Sequence, residues 1–323
     1  MQAITQSDVA RAAGVSRGLV SLALADSSRV APETKRKILE AAKELGYTRN
    51  FGAAALASSR STLIGVVLPN LRNPYFESLV AAIQSESESR GLTVLTATAS
   101  GDERRELAML EHFQAMRVGG IILATPSQPA SRYVSLASRL PLVIAGSPYD
   151  GGPAHVVHID EHAAADLAIS HVREKGYSRI VYVTTGLDEE SAAYRHSGIV
   201  AACEKAGLPL DVVEPGEGIE AIVADAQSAP GTLCAIVHND YLAIDAVSLL
   251  RRHGLTPGRD LGIISYDNTF LAAHLGFDLT SVDQQPQIQA KQALDAIGAL
   301  ADEQELGGTD MVVQPKLIIR SSS

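Results

Sequence analysis

Thr5-Gln-Ser-Asp-Val-Ala-Arg-Ala-Ala-Gly-Val-Ser-Arg-Gly-Leu-Val-Ser21 reads as two short helices joined by a tight turn. Thr5 and Asp8 stand at capping-box spacing, which satisfies an orphan amide and puts an acid at the positive end of the helix. Val9, Ala10 and Ala13 follow at helical spacing, and Gly14 offers the left-handed conformation that ends the first helix. Val15 plugs the turn and Ser16 is a second N-cap, with Val20 and Ala23 facing inward from the second helix. The small side chains of Ala10 and Ala13 let the helices cross closely, as a helix-turn-helix requires. In that motif the N-terminal side chains of the second helix meet base edges in the major groove. Here they are Ser16, Arg17 and Gly18, with Ser21 and Leu22 beyond. Arg17 suits a bidentate contact to guanine, or a phosphate contact as a solvated charge.

Outward from this stretch, Pro32 opens a third helix at a position that favours proline. Ile38, Leu39, Ala42 and Leu45 are its expected core face and Gly46 its stop. Lys35, Arg36, Lys37 and Lys43 make it basic. Residues 1–60 hold nine Lys or Arg against five acids, a net of +4. The whole chain carries −10, so residues 61–323 carry −14. A basic head on an acidic body is the electrostatic footprint of a DNA-binding module joined to a domain with another task.

Asp8-Val-Ala-Arg-Ala-Ala-Gly-Val-Ser16, Val20-Ser21, Thr34-Lys-Arg-Lys-Ile-Leu39 and Leu45-Gly-Tyr47 resemble the LacI/GalR family of bacterial transcriptional regulators. The resemblance continues in order through Leu63-Ile-Gly-Val-Val-Leu-Pro69, Asn73-Pro-Tyr-Phe76, Gly119-Gly-Ile-Ile-Leu123, Asn239-Asp240, Ile264-Ser-Tyr-Asp267 and Leu317-Ile-Ile-Arg320. It implies a homodimer on a pseudo-palindromic operator in double-stranded DNA, with Thr5, Arg29 and Ala53 joining the DNA-contacting set. It also implies a hinge helix in the Ala-rich linker, from which Leu56 wedges into the minor groove and kinks the duplex. A helix as short as Phe51–Ala57 is marginal in water, so its folding would couple to DNA; an ordinary linker with one buried Leu is the alternative. The chain departs from the family where Leu22 replaces a common Arg and at Ala25, Ala31 and Arg49. Leu22 offers thymine-methyl contact but no hydrogen bond, so no consensus half-site is carried over.

The body reads as α/β. Strand candidates at 63–68, 92–97, 119–124, 141–145, 156–159, 179–184, 234–237 and 262–266 alternate with helices near 75–90, 103–117, 161–175, 191–206, 240–253 and 286–301. That alternation predicts doubly wound parallel sheets. The family's periplasmic-binding-protein-like fold implies two lobes around a hinged cleft. The expected division is a DNA-binding domain at 1–49, a hinge at 50–61 and an effector-binding and dimerisation domain at 62–323. Within the last, about 62–158 and 283–312 form one lobe, about 159–282 and 313–323 the other. No run of 18 apolar residues suggests a membrane span, and the polar N-terminus lacks a signal-peptide core. A cytoplasmic location is therefore expected, with Cys203 and Cys234 as reduced core thiols. The chain stops three residues after Arg320 with no heptad helix following, so a dimer is expected.

Ligands of such sheets bind at the carboxyl ends of the strands. The expected effector-binding set there is Asn73, Tyr75, Phe76, Thr125, Ser147, Arg195, Asn239, Asp267 and Gln285. Arg195 matches the family's effector-contacting Arg-x-x-Gly in Arg195-His-Ser-Gly198. Amide, carboxylate and guanidinium groups around an aromatic face suit a sugar or related polyol, although Asn73 before Pro74 and Asp240 at a helix start also fit capping roles. A small-molecule carrier without a DNA role predicts a signal peptide and no basic head. An enzyme predicts a phosphate loop or a nucleophile motif, and neither is present. His155 and His158 lie three apart on an expected strand and point to opposite faces, so with His162 they make a poor metal site. The sequence thus points to a regulator, expected to repress, with no cofactor; a corepressor-dependent regulator or an activator is the alternative sign.

Overall fold

A computed structural model describes residues 4–24, 27–47, 61–127, 129–148, 154–186, 190–214, 217–302 and 310–323. The chain divides into two compact units, Met1–Arg60 and Ser61–Ser323. In the first unit, α1 (Gln6–Ala13), α2 (Arg17–Leu24) and α3 (Pro32–Glu44) pack on one another. The capping box is complete: Thr5 N donates to Asp8 Oδ2 at 3.0 Å and Asp8 N to Thr5 Oγ1 at 3.4 Å. Gly14 closes α1 at φ 66°, and Ser16 Oγ accepts from Leu19 N at 3.2 Å at the start of α2. Val9, Ala10, Ala13, Val20, Ala23, Val30, Ile38 and Ala42 form the core.

The third helix differs from expectation. Ile38 and Ala42 are buried, but Leu39 is 43% exposed and Leu45 37%. Ile38 and Ala42, four apart, share the face that meets α1 and α2, whereas Leu39 is rotated by about 100° from it. Leu45 has left the helix as its C-cap. Ala31, at the N-cap of α3, makes no side-chain capping bond.

The second unit holds two six-stranded sheets. The first runs β11-β5-β4-β3-β1-β2, from β1 (Leu63–Leu68), β2 (Thr93–Thr98), β3 (Gly120–Ala124), β4 (Leu142–Ala145), β5 (His155–Ile159) and β11 (Asp310–Val313). Every pairing in it is parallel. The second runs β12-β10-β9-β8-β6-β7, from β6 (Arg179–Val183), β7 (Leu210–Val213), β8 (Leu233–Val237), β9 (Gly262–Tyr266), β10 (Thr280–Asp283) and β12 (Lys316–Ile318). Only β12 in this sheet is antiparallel, against β10. The chain passes between the sheets after β5, after β10 and after β11.

Both faces of each sheet are covered, which explains why the central strands are apolar throughout. Ile64, Val66 and Leu68 of β1 pack with Leu79 and Ile83 of α4 (Pro74–Ser89) and Leu294 of α11 (Pro286–Ala301), while Leu63 and Val67 face Leu110 and Phe113 of α5 (Glu103–Ala115). In the second sheet, Cys234 and Ile236 meet α7 (Glu161–Lys175) and α8 (Glu190–Ala206), and Ala235 and Val237 meet α9 (Glu217–Ser228) and α10 (Asp240–Arg252). A short helix, α6 (Val134–Ala137), lies beside β4 in sequence. Cys203 and Cys234 are both buried free thiols, which burial pushes up, to about 11 for Cys203.

Elements β7, α9, β10, β11 and β12 were not among the sequence expectations. Helix α9 had a readable signal, since Ile219, Ile222, Val223 and Ala226 recur at helical spacing and are buried. The strands had little: β7, β11 and β12 are four residues or fewer and mostly not fully buried. No helix among the described residues is long and apolar enough to cross a membrane.

Candidate functional site

In the head, burial of Val20 and Ala23 leaves Ser16, Arg17, Gly18, Ser21 and Leu22 exposed on one side of α2, and Arg29 is exposed in the turn that follows. Arg17 has no ion-pair partner among the described residues. Thr5 is committed to the cap of α1, with its amide and hydroxyl both on Asp8. Ala53 and Leu56 lie outside the described residues.

In the body, the structure brings Asn73, Tyr75, Arg195 and Asp267 of the expected effector set together from both lobes at the carboxyl ends of the strands. Asp267 follows β9 and is buried. It accepts from Asn73 Nδ2 of the first lobe at 3.1 Å and from Gln284 Nε2 at 2.5 Å. Burial, reinforced by the charge of Asp240 and opposed by Arg195, pushes its carboxyl up to about 7. Tyr75 lies in the first turn of α4, whose N-cap is Asn73, its side-chain Oδ1 accepting from Tyr75 N at 3.0 Å. The Tyr75 hydroxyl donates to Gln289 Oε1 at 3.4 Å, and burial, followed by the charge of Asp267, keeps it protonated. Phe76 packs edge-on against Tyr75 and joins the apolar core of the first lobe.

Arg195, on α8, is buried and fully engaged in the second lobe. Its Nε lies 3.2 Å from Glu161 Oε2 and its Nη2 3.0 Å from Glu161 Oε1. Nη1 donates to the His238 carbonyl, and the guanidinium carbon sits 4.0 Å from the Tyr266 ring centroid. The sequence signature Arg195-His-Ser-Gly198 has a packing reason: a Cβ on Gly198 would stand 2.7 Å from the Glu161 carbonyl oxygen. Gly198 therefore lets α8 approach α7 and brings Arg195 onto Glu161. Burial and then the Arg195 charge push the His238 imidazole well below its ordinary value, leaving it neutral beside the Tyr182 hydroxyl at 2.8 Å.

Asn239 and Asp240 divide roles that the sequence left together. Asn239 caps α10, accepting from Leu242 N at 2.9 Å, with its amide nitrogen left over. Asp240 is fully buried and accepts from Ser265 Oγ at 2.5 Å, Ser281 Oγ at 2.7 Å, Thr269 N at 2.7 Å and Thr269 Oγ1 at 2.9 Å. It ties β9, β10 and the loop bearing Asp267 together. Thr125, just after β3, stands at φ 48°, Asp267 at φ 104° and Gln285 at φ 55°. Left-handed conformations of non-glycine residues are costly and cluster at functional sites. Ser147 is buried after β4 with its hydroxyl on Pro148 O. The contact to Asp267 comes from Gln284, next to the expected Gln285, whose backbone N–H donates instead to Asp283 Oδ1. Sequence reasoning also missed Glu161, whose place after Asp160 at a helix start reads as a cap. His158 ties β5 to β11 through Asp310 at 2.8 Å, and among the described residues no three metal-ligating side chains group together.

Residues 5–50 match the model for bacterial regulatory proteins of the lacI family, and residues 169–323 that for a periplasmic binding protein-like domain. The HTH-type transcriptional regulator DegA of Bacillus subtilis is 27% identical over 328 residues, covering 98% of this chain and 97% of DegA. The head is that of a LacI-family regulator, and the chain is similar to such regulators over nearly its whole length. It is a DNA-binding transcriptional regulator, as its LacI-family relatives are, and those relatives are not enzymes. The fold agrees. A lac repressor dimer bound to operator and an anti-inducer superposes with a TM-score of 0.83 at 23% identity over 99% of both chains. A complex of the regulator CelR with cellobiose gives 0.69 at 21% identity over 99% of this chain and 100% of that one.

Proposed function

We propose that this chain is a repressor whose operator affinity is set by a small sugar-like effector held between its lobes. The observation that carries this reading is the meeting of Asn73 and Asp267, 194 positions apart, beside Arg195 and Tyr75. Carboxylate, amide and guanidinium groups at the mouths of two doubly wound sheets suit hydroxyl-rich ligands. The effector contacts are assigned to Asn73, Tyr75, Phe76, Thr125, Ser147, Arg195, Asn239, Asp267 and Gln285. A related structure carries cellobiose and another carries operator DNA; both ligand classes are extended here to this chain. The head at 1–49 reads a half-site through Ser16, Arg17, Gly18, Ser21 and Leu22, with Thr5 and Arg29 at the backbone. The hinge at 50–61 places Ala53 and the Leu56 wedge at the operator centre of a cytoplasmic homodimer. Effector binding changes the angle between the lobes of residues 62–323, and the hinge segments carry that change to the DNA.

The test is selection of bound duplexes from a random pool by the full chain, with and without a panel of sugars and nucleosides. The expected outcome is a pseudo-palindrome whose occupancy one panel member changes, and whose presence changes that member's affinity by the same factor. Recovery of no preferred sequence, or equal occupancy with every panel member, overturns the reading.

A further inference from the structure

The charge balance of the cleft narrows the ligand. Arg195 is the buried cation of the site, and Glu161 meets it through both Nε and Nη2. Both partners are buried, so this pair is screened little by solvent and the guanidinium charge is already balanced. Asp267 is the next ionisable group, and its carboxyl oxygens accept from Asn73 and Gln284. His238 is held neutral by burial and by Arg195. The sequence stretches that follow β1, β3, β4, β6, β8 and β9 reinforce the sign. The described residues 69–73, 125–127, 146–148, 184–186, 238–239 and 267–270 include no Lys, and their one Arg is Arg72, which is exposed. Among the described residues of these stretches the one acid is Asp267.

A second observation concerns hydrogen-bonding sense. Gln284 Oε1, on the amide that bonds Asp267, and Tyr266 Oη, on the ring under Arg195, are buried with no hydrogen-bond partner among the described residues. A ligand hydroxyl donates and accepts and suits both kinds of group. A phosphate or carboxylate oxygen only accepts, so it offers nothing to Gln284 Oε1, and Asp267 can donate to it only while protonated and must otherwise repel it. An anion entering here gives up its hydration for a site whose cation is already neutralised.

We propose that the cleft takes uncharged polyhydroxylated ligands and excludes their phosphorylated and carboxylated forms, with Glu161 cancelling Arg195 as the positioning residue for that selectivity. This rests on the effector reading above. The experiment is calorimetric titration of the full-length protein with matched pairs: ribose and ribose 5-phosphate, glucose with glucose 6-phosphate and gluconate, cytidine and cytidine monophosphate. In the pair that binds, the neutral member is expected to bind about 100-fold or more tightly than the anion, a difference of two factors of ten in Kd. In Glu161→Gln the gap is expected to narrow by about tenfold, because the Arg195 charge is released, with a thermal melt confirming a folded protein. Equal or tighter binding of an anionic member to the wild-type protein overturns the inference while leaving the effector reading intact. An unchanged gap in folded Glu161→Gln overturns the part assigned to Glu161. Binding by neither member of any pair overturns the polyol reading, and this inference with it.

Discussion

The head and the cleft are built over different sequence distances. In the head, Thr5 and Asp8 satisfy each other three positions apart, Ser16 caps α2 through Leu19, and Gly14 turns the chain locally. In the cleft, Asp267 is met by Asn73 from 194 positions away, Arg195 by Glu161 from 34, and Asp240 by Ser281 from 41. Local bonds make the reading helix a small, separable part. Long-range bonds make the cleft sensitive to how two sheets and their covering helices pack. A perturbation in the cleft should therefore spread, and one in the head should stay put.

The sharpest way to break this contrast is Asp240→Ala. It removes the acceptor of four hydrogen bonds and leaves buried donors on Ser265, Thr269 and Ser281. The expected loss is about 3–5 kcal/mol in urea unfolding of the body, and a loss below about 1 kcal/mol would show that the strands hold the loop without it. Gly198→Ala comes next. Its Cβ meets the backbone of α7, which cannot yield as a flexible side chain does. An expected cost of about 1–3 kcal/mol should come with weaker effector binding as Arg195 shifts off Glu161; unchanged binding would uncouple the helix contact from the site.

Asp267→Asn tests electrostatics across the lobes. Burial first, and then Asp240, raise the folded carboxyl from 3.8 to about 7, so the native state holds its proton where the unfolded chain releases it. The group's contribution to stability is complete below the unfolded value, falls as pH rises through this interval and is lost above about 7. The variant should flatten that slope in thermal melts between about pH 4 and 7 and abolish effector binding, whereas a wild-type slope would remove Asp267 as its source. The smallest effect belongs to the head. Ala31→Ser supplies the missing N-cap of α3 and should stabilise the head by about 0.5–1 kcal/mol without altering effector affinity. Any change in that affinity would contradict the local character of the head.

The same contrast sets what was legible before the structure. Thr5, Asp8, Gly14 and Ser16 could be assigned because each acts on residues within one turn. Leu39 and Leu45 misled because hydrophobicity marks candidates for burial and says little about which edge of a helix face the neighbours reach. In the body, long helices and central strands showed through their periodicity, while β7, β11 and β12 are edge or near-terminal pieces too short to carry one. Arg195, Asp267 and Asn73 were named from strand ends and resemblance. Glu161 and Gln284 were not, and Asp240 was read as a possible cap, since an acid at a helix start looks alike whether it caps or pairs.

By itself the sequence determined the DNA-reading head, the family and the α/β alternation of the body, because caps, turns and periodic burial are written in neighbouring residues. Only the tertiary structure decided that Arg195 is spent on Glu161, that Asp267 is held from both sides of the cleft and that Asp240 is a structural tie. Those facts depend on which charges share one buried volume, and that is set by sheet order and helix packing rather than by any local run of residues.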